Sequence, residues 1–181
     1  KSFLANHLFR QYYEEGARVV LVDLGGSYRK LSALYPEDTV FIHYKEGEPI
    51  GLNPFDLQGE ELTASKIEDL TEFMITHYKR DCKATENEKT ALRKIIEAYY
   101  IQDGEQSLLK FIQAVRENKD TLLADLNIRN EFFNIEEFLF AMSEFEKGGI
   151  YDFLYADESN DNLSRVKDKK IIVFELDEVK D

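Results

Sequence analysis

The stretch RVVLVDLGGSYRKL, residues Arg18–Leu31, carries the clearest structural pattern in the chain. Its first half, Arg18–Leu24, is short, β-branched and nearly all apolar, which is typical of a strand buried on both faces of a parallel sheet. The glycines at 25 and 26 end the strand, and SYRKLSALY predicts a short helix with Ser27 as its N-cap. Asp23 then lies at the carboxyl edge of the sheet, where α/β sites gather. The alternative is a plain turn, with its glycines chosen for backbone freedom.

The segments on either side of this stretch continue an alternation of helices and strands. On the N-terminal side, Leu4, Leu8 and Tyr12 form one i, i+4 row, and a second row of Ala5, Phe9 and Tyr13 lies beside it. The two rows together predict a helix with a wide buried face, ended by Gly16. On the C-terminal side, TVFIHY (39–44) predicts a second strand, and KEGEPIGLNPFD (45–56) an ordered loop.

Residues 58–156 change to helical periodicity and predict a small bundle of four or five helices. Thr85 with Glu88 predicts a capping box, and Asn134 with Glu137 a similar cap. We expect the glycines at 148 and 149 to end the last helix. The apolar positions that mark the helices are Ile67, Leu70, Met74, Tyr78; Leu92, Ile95, Ile96, Tyr99, Tyr100; Leu108, Phe111, Ile112, Val115; and Ile135, Phe138, Leu139, Met142, Phe145.

The last segment returns to the first pattern. IIVFEL (171–176) is again strand-like. The sequence therefore predicts an α/β domain interrupted by an all-helical insertion. The expected boundaries are 1–57 for the first α/β part, 58–156 for the insertion and 157–181 for the return to the sheet.

The composition limits the class of protein. The chain has 181 residues, 43% of them hydrophobic, and a net charge of −13, which suits an acidic globular protein with a substantial core. No apolar run approaches the roughly 18 residues of a membrane span. The lone Cys82 fits a reducing compartment. Basic residues are interleaved with acids, which argues against direct nucleic-acid binding by this segment.

Lys1 and Ser2 precede the first predicted helix directly. The P-loop pattern ends in G-K-[S/T] and runs straight into a helix, so we expect the chain to begin inside that motif. In a P-loop the lysine reaches the β/γ-phosphate oxygens and the hydroxyl binds Mg²⁺. The pair alone is common before ordinary helices, and it gains weight from the βαβ-like context that follows.

Three motifs in succession resemble the cytoplasmic ATPases of conjugation and type IV secretion systems, nearest to the TraG type of conjugative transposons. They are KSF (1–3), VDLGGSY (22–28) and PIGLNPF (49–55), and GGIYDFLYAD and IIVFELDEVKD follow in the family's order. The resemblance implies a partial RecA-like P-loop NTPase sheet with a helical insertion. It also implies ATP and Mg²⁺ as cofactors in the full-length parent, with Lys1, Ser2 and Phe3 at the nucleotide, Lys1 catalytic and Ser2 a magnesium ligand.

Two features of the family are missing from the sequence. They are the P-loop glycines with their strand, and the Walker B acidic pair, which the family places further along. Asp177 and Glu178 offer a tempting Walker B, but Glu175 interrupts the apolar run before them. We therefore expect the true pair to lie elsewhere. The three histidines, His7, His43 and His77, have no metal-ligand spacing.

The resemblance implies a parent that hydrolyses ATP to power conjugative DNA transfer or type IV secretion, while this segment alone is inactive. It implies a cytoplasmic homo-oligomer, peripheral to the inner membrane and contacting inner-membrane secretion-channel proteins. One alternative is a non-catalytic helical protein-interaction domain. Another is a motor that grips DNA directly, which would need a basic pore loop that the sequence does not show.

Overall fold

A computed structural model defines the fold. It describes residues 2–44, 50–57, 59–80, 82–101, 104–155, 166 and 168–176, with Ser2 described by its backbone alone. The chain divides into two compact units, Lys1–Leu52 with Glu158–Asp181, and Asn53–Asp157. Among the described residues, no helix is both long enough and apolar enough to cross a membrane.

The first unit is built on a three-stranded parallel sheet. In chain order its elements are α1 (Ser2–Glu14), β1 (Val19–Asp23), α2 (Arg29–Ser32), β2 (Thr39–His43) and β3 (Ile171–Glu175). The strand order is β1-β3-β2, so the last strand in sequence lies between the first two. Ile171 is the register partner of Val19 on one side and of Thr39 on the other. The mixed α/β class predicted from the sequence is confirmed.

One face of this sheet carries a core shared by β1 and β3, and Val40, Ile42 and Ile172 are buried on the other face. Four buried side chains of β1 and β3 form the shared core, namely Val19, Leu21, Ile171 and Val173. The predicted row of α1 that includes Phe9 and Tyr13 packs against them. Apolar residues thus alternate along β1 between this core and the opposite face.

Two predictions of burial are wrong, namely a wide buried face for α1 and burial on both faces for β1. On α1, Leu4 and Tyr12 are exposed by 63% and 54%, because only the neighbouring row of the helix meets the sheet. On β1, Val20 and Val22 are 57% and 65% exposed. In the described part of the chain β1 is an edge strand, and its second face lies open to solvent.

The sequence predicts where α1 ends and how α2 begins, and only the first of these predictions is correct. Gly16 has φ +91°, and the amide of Ala17 donates to the carbonyl of Tyr12 over 2.9 Å, so the predicted glycine stop of α1 is confirmed. The predicted cap of α2 is wrong. That helix starts after Tyr28, whose side chain makes no capping hydrogen bond, and the Tyr28 amide donates to the Asp23 carboxylate.

The second unit is helical. Its helices are α3 (Ala64–Lys79), α4 (Glu86–Tyr100), α5 (Leu108–Glu117), α6 (Lys119–Asp125) and α7 (Ile135–Met142). The predicted Thr85–Glu88 capping box is formed, and Asn134 accepts from the Glu137 amide. The seven-residue α6 was not predicted. The last helix ends at Met142 and continues as a 3₁₀ turn, Ser143–Phe145, so the glycines at 148 and 149 lie beyond its end.

An aromatic cluster around Phe55 anchors the start of this unit. Phe55 is fully buried and stacks on Phe111, with ring centroids 4.9 Å apart. The Tyr100 hydroxyl donates to the Phe55 carbonyl over 2.6 Å, and burial raises the pKa of that tyrosine. The Asn53 side chain accepts from the Phe55 amide and donates to the Gln106 carbonyl. The NPF segment, predicted as part of a loop, is therefore a core element of the helical unit.

Candidate functional site

The start of α1 is the predicted phosphate-binding end. The helix begins at Ser2, and its first turn contains no acidic side chain that would repel an anion. Phe3 is 88% exposed and so packs against none of the core. Lys1 lies outside the described residues, and only the backbone of Ser2 is described, so the roles predicted for Lys1, Ser2 and Phe3 stay predictions.

Asp23 lies at the carboxyl end of β1, as predicted, and is 6% exposed. One carboxylate oxygen accepts from the Gly25 amide and the other from the Tyr28 amide, each over 3.2 Å. Both oxygens of the carboxylate therefore close the turn Gly25–Tyr28 onto the strand end. The structure thus shows Asp23 bonded to the turn, and its predicted place in a site stays a prediction.

Glu175 is the site residue that the sequence reasoning missed. It ends β3, the central strand, and is buried with 4% exposure. Its Oε1 accepts from Arg29 Nε over 2.9 Å, and its Oε2 lies 3.9 Å from His43 Nε2. The signal was present in the sequence as the one charged residue inside an apolar strand, which normally requires a partner when buried.

Gly26 lies directly against this ion pair. Its φ is +65°, and a Cβ built on it would come within 3.3 Å of both Arg29 Nε and Glu175 Oε1. A side chain here would meet both backbone strain and crowding. The second glycine of the turn is therefore required by conformation and by space.

Two contacts connect the turn to α1. Asn6 Nδ2 donates to the Ser27 carbonyl over 3.3 Å. The rings of Phe9 and Tyr28 meet edge to face with centroids 5.5 Å apart. The carboxyl edge of the sheet is thus joined to the first half of the helix that begins at Ser2.

A groove of about 490 Å³ opens beside the Arg29–Glu175 pair. Its lining is mainly apolar, and its two hydroxyls already donate to backbone carbonyls, Ser32 to Tyr28 and Thr39 to Tyr35. The groove therefore offers few polar groups for recognising a ligand. The lining residues are Arg29, Ser32, Ala33, Pro36, Thr39, Phe41 and Glu175.

Of the remaining candidates, His77 is described and the two Walker B candidates are not. Asp177 and Glu178 lie outside the described residues, so their distance from Ser2 stays untested. His77 belongs to the helical unit, where its ring bonds to the Phe73 carbonyl and to the Tyr155 hydroxyl. Within the part of the chain that the structure describes, no group of three or more His, Cys, Asp or Glu side chains could hold a metal ion.

A solved structure of a known protein has a similar fold to this chain. The solved structure of VirB4 of Thermoanaerobacter pseudethanolicus matches with a TM-score of 0.56 at 21% identity, covering 99% of this chain and 47% of that one. The chain thus spans about half the length of that relative. No curated protein matches the sequence.

The described residues form an α/β domain in which a helix that begins at Ser2 packs on a parallel sheet. The TraG P-loop domain family matches over residues 1–181. The chain belongs to this family, which confirms the resemblance seen in the sequence.

Proposed function

We propose that this chain is part of a P-loop ATPase that powers conjugative DNA transfer or type IV secretion. The observation that carries the proposal is the placement of α1. It begins at Ser2, directly after Lys1, with no acidic residue in its first turn, and it packs on a parallel sheet. A helix start of this kind suits phosphate, because its free amides and dipole favour an anion.

The bound nucleotide would supply a phosphoryl group and Mg²⁺ would neutralise its charge. Lys1 would bind the β/γ-phosphate oxygens and stabilise the charge that develops during transfer. The Ser2 hydroxyl would ligate Mg²⁺, and Phe3 would lie beside the nucleotide. The acid that orients the attacking water would come from outside this chain.

The three-part division remains a proposal: 1–57 and 157–181 as the α/β part and 58–156 as a helical insertion. In this organisation the insertion docks partners or transmits movement, and the sheet does the chemistry. The parent would be cytoplasmic and homo-oligomeric, associated peripherally with the inner membrane and its secretion-channel proteins. Interleaved charges on the segment argue against its contacting DNA directly.

A comparison of two proteins tests this proposal. The isolated chain is expected to hydrolyse ATP negligibly, because it lacks the glycines that wrap the phosphates. A longer protein that adds the preceding phosphate loop and the following Walker B strand should hydrolyse ATP with Mg²⁺. The proposal fails if that longer protein, folded and purified, shows no turnover above the isolated chain.

A further inference from the structure

The turn Gly25–Tyr28 lies between the buried end of the sheet and the first half of α1. On the sheet side, Asp23 accepts from the first and last amides of the turn. On the helix side, the Ser27 carbonyl accepts from Asn6, and the Tyr28 ring meets Phe9. The two helix residues are three positions apart, so they present one face to the turn.

The Arg29–Glu175 pair lies next to Gly26, in the middle of the turn. Gly26 approaches this pair so closely that a Cβ would be 3.3 Å from an atom of each partner. The turn therefore passes close to an ion pair whose residues are 146 positions apart.

We propose that Asp23, Gly26 and the Arg29–Glu175 pair are positioning residues that hold the N-terminal half of α1 through the turn Gly25–Tyr28. For catalysis this inference rests on the proposed function, because only there does the start of α1 carry Lys1 and Ser2 to the phosphates. Their placement matters, since a shift of about 1 Å at a catalytic group can cost on the order of 10²-fold in rate.

The burial of the ion pair predicts an asymmetry between its two members. The Glu175 side chain is 5% exposed, whereas that of Arg29 is 61% exposed. Removing the guanidinium leaves a buried carboxylate whose other basic neighbour, His43, is 3.9 Å away. Removing the carboxylate charge leaves a guanidinium that is largely exposed. Loss of Arg29 should therefore disturb the turn more than loss of the Glu175 charge, and neutralising both should restore it.

Hydrogen exchange on the nucleotide-free chain tests whether the turn Gly25–Tyr28 holds the N-terminal half of α1. Gly26→Ala should make the amides of residues 6–10 exchange roughly tenfold faster, because the added methyl group strains the backbone, crowds the ion pair and so displaces the turn. Gly16→Ala is the matched control. Gly16 also has a positive φ, at the other end of the same helix, but a Cβ added there would meet no atom of the described residues beyond its chain neighbours within 4 Å.

If the turn positions α1, Gly16→Ala loosens the last turn of the helix and leaves residues 6–10 unchanged. Equal exchange of residues 6–10 in both variants would overturn the inference, since it would reflect general helix stability. Arg29→Met should also speed this exchange, and Arg29→Met/Glu175→Gln should slow it again. If Arg29→Met also exposes the strands, the glycine comparison decides alone.

Turnover of the longer ATPase tests whether this positioning affects catalysis. Arg29→Met should lower kcat about tenfold or more, and the double variant should regain most of it. If Lys1→Ala abolishes turnover while Arg29→Met keeps it fully, the positioning inference is wrong and the proposed function stands. If Lys1→Ala keeps turnover, the proposed function is wrong. The exchange measurement then still decides whether the turn holds the N-terminal half of α1.

Discussion

Asp23 and Glu175 are register partners at the carboxyl ends of two adjacent parallel strands, and both are buried. Asp23 bonds to two backbone amides of the following turn, whereas Glu175 bonds to the side chain of Arg29. Asp23 thus bonds to the turn Gly25–Tyr28 directly, and Glu175 bonds to the residue that follows it.

Glu178 is the nearest acid that the Walker B pattern would suggest. We expect Glu178→Gln in the proposed longer ATPase to leave turnover within a few-fold of the parent, because the sequence resemblance implies a catalytic acid further along. A lost catalytic group would instead stall hydrolysis. Steady-state ATPase rates and the affinity for a fluorescent ATP analogue check this. Retained binding with stalled turnover would identify Asp177 and Glu178 as the Walker B pair after all.

The strands were predictable because each is a short, β-branched apolar run, and such runs are typical of parallel sheets. The open faces of α1 and β1 were not, because periodicity shows which residues are apolar and not which neighbours cover them. The short helix α6 was missed for a related reason. Lys119–Asp125 spans only two turns, too few for a helical period to stand out.

Only the part of the candidate site that depends on neighbouring residues in the sequence could be predicted. Asp23 was placed at the sheet edge because it ends an apolar run before two glycines. Glu175 was recognised only as an interruption, because its partner Arg29 is 146 positions away. No local pattern links these two residues, and the link appears only when β3 lies between β1 and β2.

The helical unit should lose stability in mild acid through His77. Burial among the rings of Phe73, Phe145 and Tyr155 lowers the pKa of this histidine. The unfolded chain has a histidine pKa of about 6.5. Between this pH and the lower folded pKa, the unfolded chain therefore binds more protons than the folded chain. The free energy of unfolding should fall as pH drops below about 6.5 and stop falling below the folded pKa.

Urea unfolding at pH 7 and pH 5, followed by circular dichroism, measures this dependence. His77→Asn is the informative variant, because its amide can still donate to the Phe73 carbonyl but does not titrate. Its stability should change less between the two pH values than that of the parent. An equal change in both proteins would show that other groups carry the acid dependence.

Phe55 should be among the most sensitive positions of the helical unit. The residue is fully buried and stacks on Phe111, so Phe55→Ala should lower the free energy of unfolding by about 3–5 kcal/mol. Tyr100→Phe removes only the hydrogen bond to the Phe55 carbonyl and should cost about 1 kcal/mol. Urea unfolding compares the two variants. A smaller loss in Phe55→Ala than in Tyr100→Phe would contradict the packing account.

Adjacent glycines in the segment after α7 should respond differently to alanine. At Gly149 a Cβ would lie 2.3 Å from the Glu144 carbonyl oxygen, which also accepts from the Tyr151 amide. At Gly148 the described residues leave open space, and the positive φ is what opposes a side chain. Gly148→Ala should therefore cost roughly 1–2 kcal/mol, and Gly149→Ala more, because the backbone must move. Thermal unfolding of the pair measures the difference, and equal losses would argue against the close approach.

The most direct test of the ATPase assignment is the turnover of Lys1→Ala in the longer protein. The developing charge on the transferred phosphoryl group would lose its cation, so we expect a fall in kcat on the order of 10²-fold or more. Lys30→Ala, at an exposed position of α2, is the matched control and should retain full activity. A Lys1→Ala protein that hydrolyses ATP as fast as the Lys30→Ala protein would contradict the assignment of this chain to a P-loop ATPase.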